Sequence, residues 1–248
     1  VSGVGLGLDY SEDTLSAISD AGGGTYRFVN RPGQLSEVFA SEIQKMSELV
    51  AREAMIELNP PPATEIIEVF GYSTHRTQTG HQIFLGDVHA GETRKVVARV
   101  NIQADSEDRV AVSNANLKYF TPATESEAAS SFTDVSSLTA VLSRDVSVIA
   151  SSTNLGASRQ GVQAHASWYM DEGARAWERG DRKANRAMMA QGKALLAEAA
   201  EANKDEVLAS QAIELESHAR AFDAADFDSD DGLYRVKKAK EDARAYAH

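Results

Sequence analysis

The sequence predicts a multidomain α+β protein: a short α/β segment, then an antiparallel β-sandwich, then a bundle of α-helices. Two apolar strands alternate with helical periods and glycine-rich turns in the first 52 residues, as in α/β sheets. Apolar side chains recur at every second position between residues 59 and 155, and at every third or fourth position beyond residue 156. We therefore expect three domains, at residues 1–58, 59–155 and 156–248.

Composition excludes several classes of function. The net charge of −12 and the pI near 5.0 argue against nucleic acid as a partner, because its phosphates would be repelled. The chain has no cysteine, so disulfides, cysteine-ligated zinc and thiol nucleophiles are excluded. No apolar run approaches the roughly 18 residues that cross a bilayer. We therefore expect neither a nucleic-acid partner nor a membrane-spanning segment.

The first segment has the order strand, helix, strand, helix. Glycine alternates with apolar residues in the first strand, and Ser11 or Asp9 is placed to cap the helix that follows. Leu15 and Ile18 are expected to face the sheet. A parallel strand buried on both faces needs neighbours on both sides, so we expect the chain to be a C-terminal fragment that begins inside a domain. The predicted elements are Val1–Leu8, Glu12–Asp20, Thr25–Val29 and Gln34–Arg52.

The central segment follows the boundary at Asn59–Pro62 and contains at least five predicted strands separated by polar turns. Five strands suffice for a small two-layered antiparallel sandwich, so Ile66–Ile149 is expected to fold alone. The polar, serine-rich stretch Glu125–Phe132 is expected to be a mobile loop. The predicted strands are Glu65–Tyr72, His81–Leu85, Arg94–Ile102, Arg109–Phe120 and Ser136–Val148.

The last segment predicts antiparallel helices joined by short turns. Breaks occur at Gly180 and Lys204, and a final amphipathic stretch runs from Leu233 to Tyr246. One stripe of the first helix carries the largest side chains, and we expect its two aromatic members to lie in the bundle core. The stripe consists of Val162, Ala166, Tyr169, Met170 and Trp177.

No motif indicates catalysis or cofactor binding. Gly3, Gly5 and Gly7 fail the dinucleotide fingerprint, which needs its third glycine where Leu8 stands. Neither a nucleophile elbow nor a phosphate-binding loop occurs, and the six histidines lack the paired spacing of zinc proteases. We therefore expect a protein that is not an enzyme, with no catalytic residue and no cofactor.

An acidic cluster near the C-terminus has some of the features of a calcium loop. Alternating carboxylates before Gly232 could surround a hard cation. An EF-hand would need glycine at Asp231 and glutamate at Lys237, so the motif fails twice. A solvated acidic loop in which Asp230 caps the last helix is the alternative that we prefer. The weak calcium candidates are Asp226, Asp228 and Asp230.

The stretch Val1–Val29, with its glycine-spaced strand followed by LDYSEDTLSAISDAGGGTYRFV, resembles the last third of a von Willebrand factor A domain. It is most similar to that of bacterial proteins labelled calcium-activated chloride channel homologues. Gln34–Arg52 is similar to the helix that closes such domains, and Leu85–Glu92 to the turn that follows them. The Glu178–Asp181 turn of the helical tail also looks like theirs. The resemblance implies that the first segment is part of a Rossmann-like domain.

The resemblance also implies a function. Such domains bind a divalent cation such as magnesium through a DxSxS loop and two later loops, none of which occurs here, so we carry over no metal ligand. A cation is expected only with a further N-terminal half. The family implies a non-enzymatic protein-interaction or scaffold module, which we expect at the bacterial cell envelope. The alternative is an intracellular assembly factor whose A domain works with a partner ATPase.

Overall fold

The computed structural model describes residues 2–22, 24–46, 49–103, 109–122, 131–227 and 229–247. The chain divides into two compact units, Val1–Ser152 and Thr153–His248. Each unit contains its own cluster of buried apolar side chains. No helix within these residues is long and apolar enough to cross a lipid bilayer.

The first unit opens with a parallel strand pair connected by a helix, as predicted. Ser11 caps the helix by accepting a hydrogen bond from the Thr14 N–H at 3.3 Å. The helix lies so close to the first strand that a Cβ atom at Gly3 would be 2.5 Å from Ser19 Oγ and 2.9 Å from Leu15. Glycine in the strand therefore allows close packing. The elements are β1 Gly3–Leu6, α1 Glu12–Ala21 and β2 Tyr26–Val29.

Two details of this segment differ from the prediction. Ile18 does not face the sheet, because it is 52% exposed on the outer side of α1. The following helix, α2, is Leu35–Met46, and the chain is extended again from Leu49 instead of staying helical to Arg52. The extended segment forms backbone hydrogen bonds with two other strands, which a helix at this place would lack.

Two antiparallel sheets follow in the first unit. One has the order β5-β6-β3-β8-β9, and the other consists of β4 and β7. Leu58, Ile66 and Ile83, from β3, β4 and β6, form a buried core that both sheets share. The strands are β3 Leu49–Asn59, β4 Thr64–Phe70, β5 Thr74–Arg76, β6 His81–His89, β7 Val97–Ile102, β8 Arg109–Phe120 and β9 Ser131–Val141.

Strand β3 also changes where the domains divide. The boundary predicted after residue 58 falls inside β3, which lies between β6 and β8 at the centre of its sheet. Residues 49–58 therefore belong with the antiparallel sheets and not with the α/β segment. A segment that begins at Ile66 would lack this central strand, which argues against the expectation that Ile66–Ile149 folds alone.

The end of the first unit differs as well. The strand predicted at Ser136–Val148 ends at Val141, and a short helix, α3, follows at Val146–Ser152. Asp145 starts this helix by accepting a hydrogen bond from the Ser147 N–H at 2.8 Å. Strand β9 is the last of its sheet and pairs only with β8 among the described residues. Most of the stretch expected as a mobile loop, residues 125–130, lies outside the described residues.

We predict that the truncated chain 66–149 does not fold and that the chain 49–149 does. Without β3, strands β6 and β8 lose the partner that holds them in one sheet, and Ile83 loses Leu58 from its core. Circular dichroism and limited proteolysis of the two truncated chains would test this. Equal protease resistance of both chains would contradict the central role of β3.

The second unit contains four helices joined by short turns, as the sequence predicts. Each of the first three is capped by an Asn or Asp side chain that accepts from a backbone N–H: Asn154, Asp181 and Asp205. Gly180 turns the chain between the first two helices with a φ of +76°. The helices are α4 Leu155–Glu178, α5 Arg182–Asn203, α6 Glu206–Ala224 and α7 Asp230–Ala247.

The core of the bundle is built around Trp177, which is 2% exposed. Its ring lies 5.5 Å from that of Phe222 and 5.2 Å from that of Phe227, between ring centroids. A side chain at Gly232 of α7 would overlap the indole, so α7 approaches Trp177 closely because this position is glycine. The predicted core position of Trp177 is confirmed. Tyr169 is only half-buried and stacks on His165, so it lies at the margin of the core.

Trp177→Ala should lower the free energy of unfolding of the helical unit by about 3–5 kcal/mol, because the indole leaves a cavity between α4, α6 and α7. Thermal and urea unfolding measure the change. Ile213→Ala on α6, where the side chain is 70% exposed, is the control and should change stability by no more than about 0.5 kcal/mol. Equal effects of the two substitutions on stability would contradict the core position of Trp177.

Candidate functional site

Strand β3, the central strand of the five-stranded sheet, is irregular in its first half. Its register shifts against β6 between Ala51 and Met55, and against β8 between Arg52 and Met55. Within this bulge Glu53 has a φ of +52°, a left-handed conformation that is strained for a residue with a side chain. The Glu53 N–H donates to Asp87 Oδ1 at 3.1 Å, so a carboxylate of β6 holds the bulge in place.

The bulge lines an open groove of about 990 Å³ between the last turn of α1 and the outer face of the sheet. Ala17 and Ala21 of α1 form part of one wall. Met55, Phe84 and Phe120, one each from β3, β6 and β8, contribute apolar surface to the sheet side. Phe84 is 44% exposed and Phe120 is 47% exposed. A single exposed apolar side chain is ordinary, whereas a contiguous apolar patch in a groove is a candidate interaction surface.

Charged groups surround this apolar surface. Lys118 lines the groove, and its Nζ lies 2.8 Å from Glu57 Oε2. Gln82 donates to the other oxygen of the same carboxylate at 2.9 Å. The hydrogen bond from Lys118 is the main cause that lowers the pKa of Glu57 below its ordinary value. Asp87 and Arg52 add one charge of each sign.

The groove combines apolar surface with a few polar groups. Ser73 and Thr133 offer hydroxyl groups, but no histidine lies among its described lining residues to activate them as nucleophiles. Apolar surface with a few charged groups at its edge is typical of sites that recognise a ligand by shape and orient it by charge.

The acidic cluster predicted as a weak calcium candidate lies only partly within the described residues. Asp226 and Asp230 are exposed, and neither joins a group of three ligand side chains in the described part of the chain; Asp228 lies outside that part. Asp230 is not the residue that caps α7. Ser229 does so, because its Oγ accepts a hydrogen bond from the Gly232 N–H at 3.1 Å. The acidic side chains at the start of α7 instead favour the helix through its dipole.

A different polar cluster joins α6 and α7. His218 Nε2 lies 3.2 Å from Asp242 Oδ2, and Lys238 donates to Asp242 Oδ1 at 2.6 Å. Burial alone would raise the pKa of Asp242, but the hydrogen bonds from His218 and Lys238 outweigh it and lower that pKa. The Tyr246 hydroxyl donates to Glu214, and burial together with this bond raises the tyrosine pKa.

The sequence analysis missed both places. The groove combines residues from α1 and four strands, so no local motif predicts it. The α6–α7 cluster has a local signal in Glu214-x-x-x-His218, which places both side chains on one helix face. A mixed pair of glutamate and histidine differs from the paired histidines of zinc proteases.

Comparisons with known proteins support the fold. No protein-family model matches the chain, and no curated protein does. A solved structure of a von Willebrand factor type A protein from Catenulispora acidiphila is similar with a TM-score of 0.58 and 18% identity, over 84% of this chain and 50% of that one. The ArnB paralog VWA2 from Sulfolobus acidocaldarius is similar with a TM-score of 0.51 and 17% identity, over 100% and 56%.

These similarities give the chain a von Willebrand factor A-type fold. The chain spans about half the length of each of these two proteins. The narrower resemblance to the bacterial chloride channel homologues stays a prediction, as does the expectation that the chain is a fragment.

The lowered pKa of Glu57 predicts a pH dependence of stability. A carboxylate whose pKa is lower in the folded than in the unfolded chain stabilises the fold above its ordinary value of 4.5, and the contribution is lost as the pH falls through the folded pKa. Glu57→Gln should therefore cost stability near neutral pH, and progressively less as the pH falls below 4.5.

Urea unfolding at a series of pH values measures this difference. Glu65→Gln, at an exposed position of β4, is the matched control. The free energy of unfolding lost in Glu65→Gln should depend less on pH than the free energy lost in Glu57→Gln. A difference for Glu57→Gln that is the same at acid and neutral pH would contradict the role of Lys118.

Proposed function

We propose that this chain is a non-enzymatic protein-interaction module that holds an apolar segment of a partner protein in the groove beside β3. The observation that carries the proposal is the pair of half-exposed rings, Phe84 and Phe120, on the sheet side of an open groove. A von Willebrand factor A-type fold is compatible with binding proteins, and the groove supplies a specific surface for it.

The apolar surface is large enough to matter for affinity. A buried aromatic side chain covers about 150–250 Å², so covering the exposed half of one ring removes roughly 100 Å² from water. At about 25 cal/mol per Å², this contributes about 2.5 kcal/mol for each ring. A few such contacts dominate the binding energy of many protein interfaces.

The groove is also formed before binding. The Asp87 carboxylate fixes the Glu53 bulge, and strands on both sides hold Met55. A partner would therefore spend little free energy on ordering this surface. Lys118 and Asp87 at the edge of the groove would orient a segment that carries charges beside its apolar side chains.

The finer role is part of the same proposal. We propose a scaffold that joins proteins at the bacterial cell envelope. An intracellular assembly factor that works with an ATPase is the alternative. The identity of the partner separates these roles, since an exported protein would support the first and an ATPase the second.

The test places photoreactive benzoylphenylalanine at position 84 of the chain, expressed in its source organism. Irradiation should crosslink the same protein to this position in repeated experiments. The crosslinked segment of that protein should be rich in apolar side chains. Position 141, where Val141 of β9 is 62% exposed outside the groove, is the matched control and should not link that protein.

The linked protein, once purified, should bind the Phe84→Ser chain about 10- to 60-fold more weakly than wild type, as loss of up to about 2.5 kcal/mol implies. Val141→Ser should bind as wild type does. Unchanged affinity of Phe84→Ser, or equal linking at both positions, would refute the groove as the binding site.

A further inference from the structure

Three side chains that can ligate metal converge where α6 and α7 meet. Glu214 and His218 are four residues apart on one face of α6, and Asp242 reaches them from α7. One potential ligand atom of each lies within 4.8 Å of those of the other two. His218 and Asp242 are shielded, with side chains 14% and 16% exposed.

We propose that Glu214, His218 and Asp242 bind a Zn²⁺ ion that clamps α6 to α7. The distance between His218 Nε2 and Asp242 Oδ2 is 3.2 Å. Two ligand atoms about 2.0–2.1 Å from zinc in a tetrahedral arrangement are about 3.3 Å apart, so this pair already has the required spacing. Glu214 completes three protein ligands, and water can take the fourth position on its exposed side.

The ligand types favour a transition metal. Calcium and magnesium take oxygen ligands almost exclusively, so an imidazole among three protein ligands disfavours both. One imidazole with two carboxylates suits zinc, and the same ligands accept cobalt as a probe. Two carboxylates also neutralise the charge of the ion.

The surrounding side chains orient the ligands without blocking them. Lys238 donates a hydrogen bond to Oδ1 of Asp242 at 2.6 Å, which leaves Oδ2 directed at His218. Tyr246, one turn beyond Asp242, donates a hydrogen bond to Glu214 and holds its carboxylate beside the cluster. Such partners of metal ligands fix their geometry and typically change metal affinity about 10- to 100-fold.

The ion would strengthen the weaker side of the bundle. Helix α7 packs mainly on α4, where Lys240 of α7 and Glu178 of α4 pair at 2.7 Å, and it contacts α6 less. A metal held by ligands from α6 and α7 would bind the folded bundle and not the unfolded chain. Binding should therefore raise the thermal midpoint of unfolding.

The test titrates the full chain, without a histidine tag, with CoCl2 and then displaces cobalt with ZnCl2. One equivalent should give the strong visible absorption of four-coordinate cobalt, and zinc should abolish it. His218→Ala and Asp242→Asn should each weaken binding by at least about 10-fold. His75→Ala, at an exposed position of β5, is the control and should bind as wild type does.

Circular dichroism of each metal-free variant checks that the helices are intact. Zinc should raise the thermal midpoint of wild type and of His75→Ala, and leave that of His218→Ala unchanged. Absence of the four-coordinate cobalt spectrum in wild type would overturn the proposal. Binding that His218→Ala does not weaken would overturn it too, and neither outcome bears on the groove of the first unit.

Discussion

Strand β3 forms backbone hydrogen bonds along both of its edges, with β6 on one side and β8 on the other. Its side chains alternate between the two faces of the sheet, so Leu58 joins the buried core while Met55 lines the groove. A slip of one residue would exchange these faces. The core and the groove therefore both depend on the register of β3 in its sheet. The bulge at Glu53 interrupts this register, and Asp87 holds the bulge in place.

The parts of the fold that the sequence predicts correctly have local causes. The helical turns contain glycine and capping Asn or Asp, and the first strand–helix–strand unit has a serine cap and a glycine-rich strand. The prediction fails at residues 49–52, where Val50 continues the apolar spacing of α2 after Ile43. Pairing with β6 and β8 decides this segment, and those strands lie more than twenty residues further along the chain.

The candidate sites show the same limit. Phe84 and Phe120 look like ordinary strand residues in the sequence, and only the bulge in β3 and the position of α1 make their surface a groove. The acidic run at Asp226 has a local resemblance to a metal loop but no convergence of its described side chains. His218 carries no recognisable signal alone, because Asp242 comes to it from another helix.

The position of β9 at the end of its sheet has a consequence for the protein in concentrated solution. An edge strand can pair with the same strand of another molecule, and proteins commonly prevent this with lysine, proline or a pronounced bulge. Ser131–Val141 contains neither lysine nor proline, Asp134 is its one charged residue, and Val135 and Val141 are more than half exposed. Within β9, Asp134 is therefore the one charged side chain that opposes the pairing of two such edges, and neutralising it would favour that pairing.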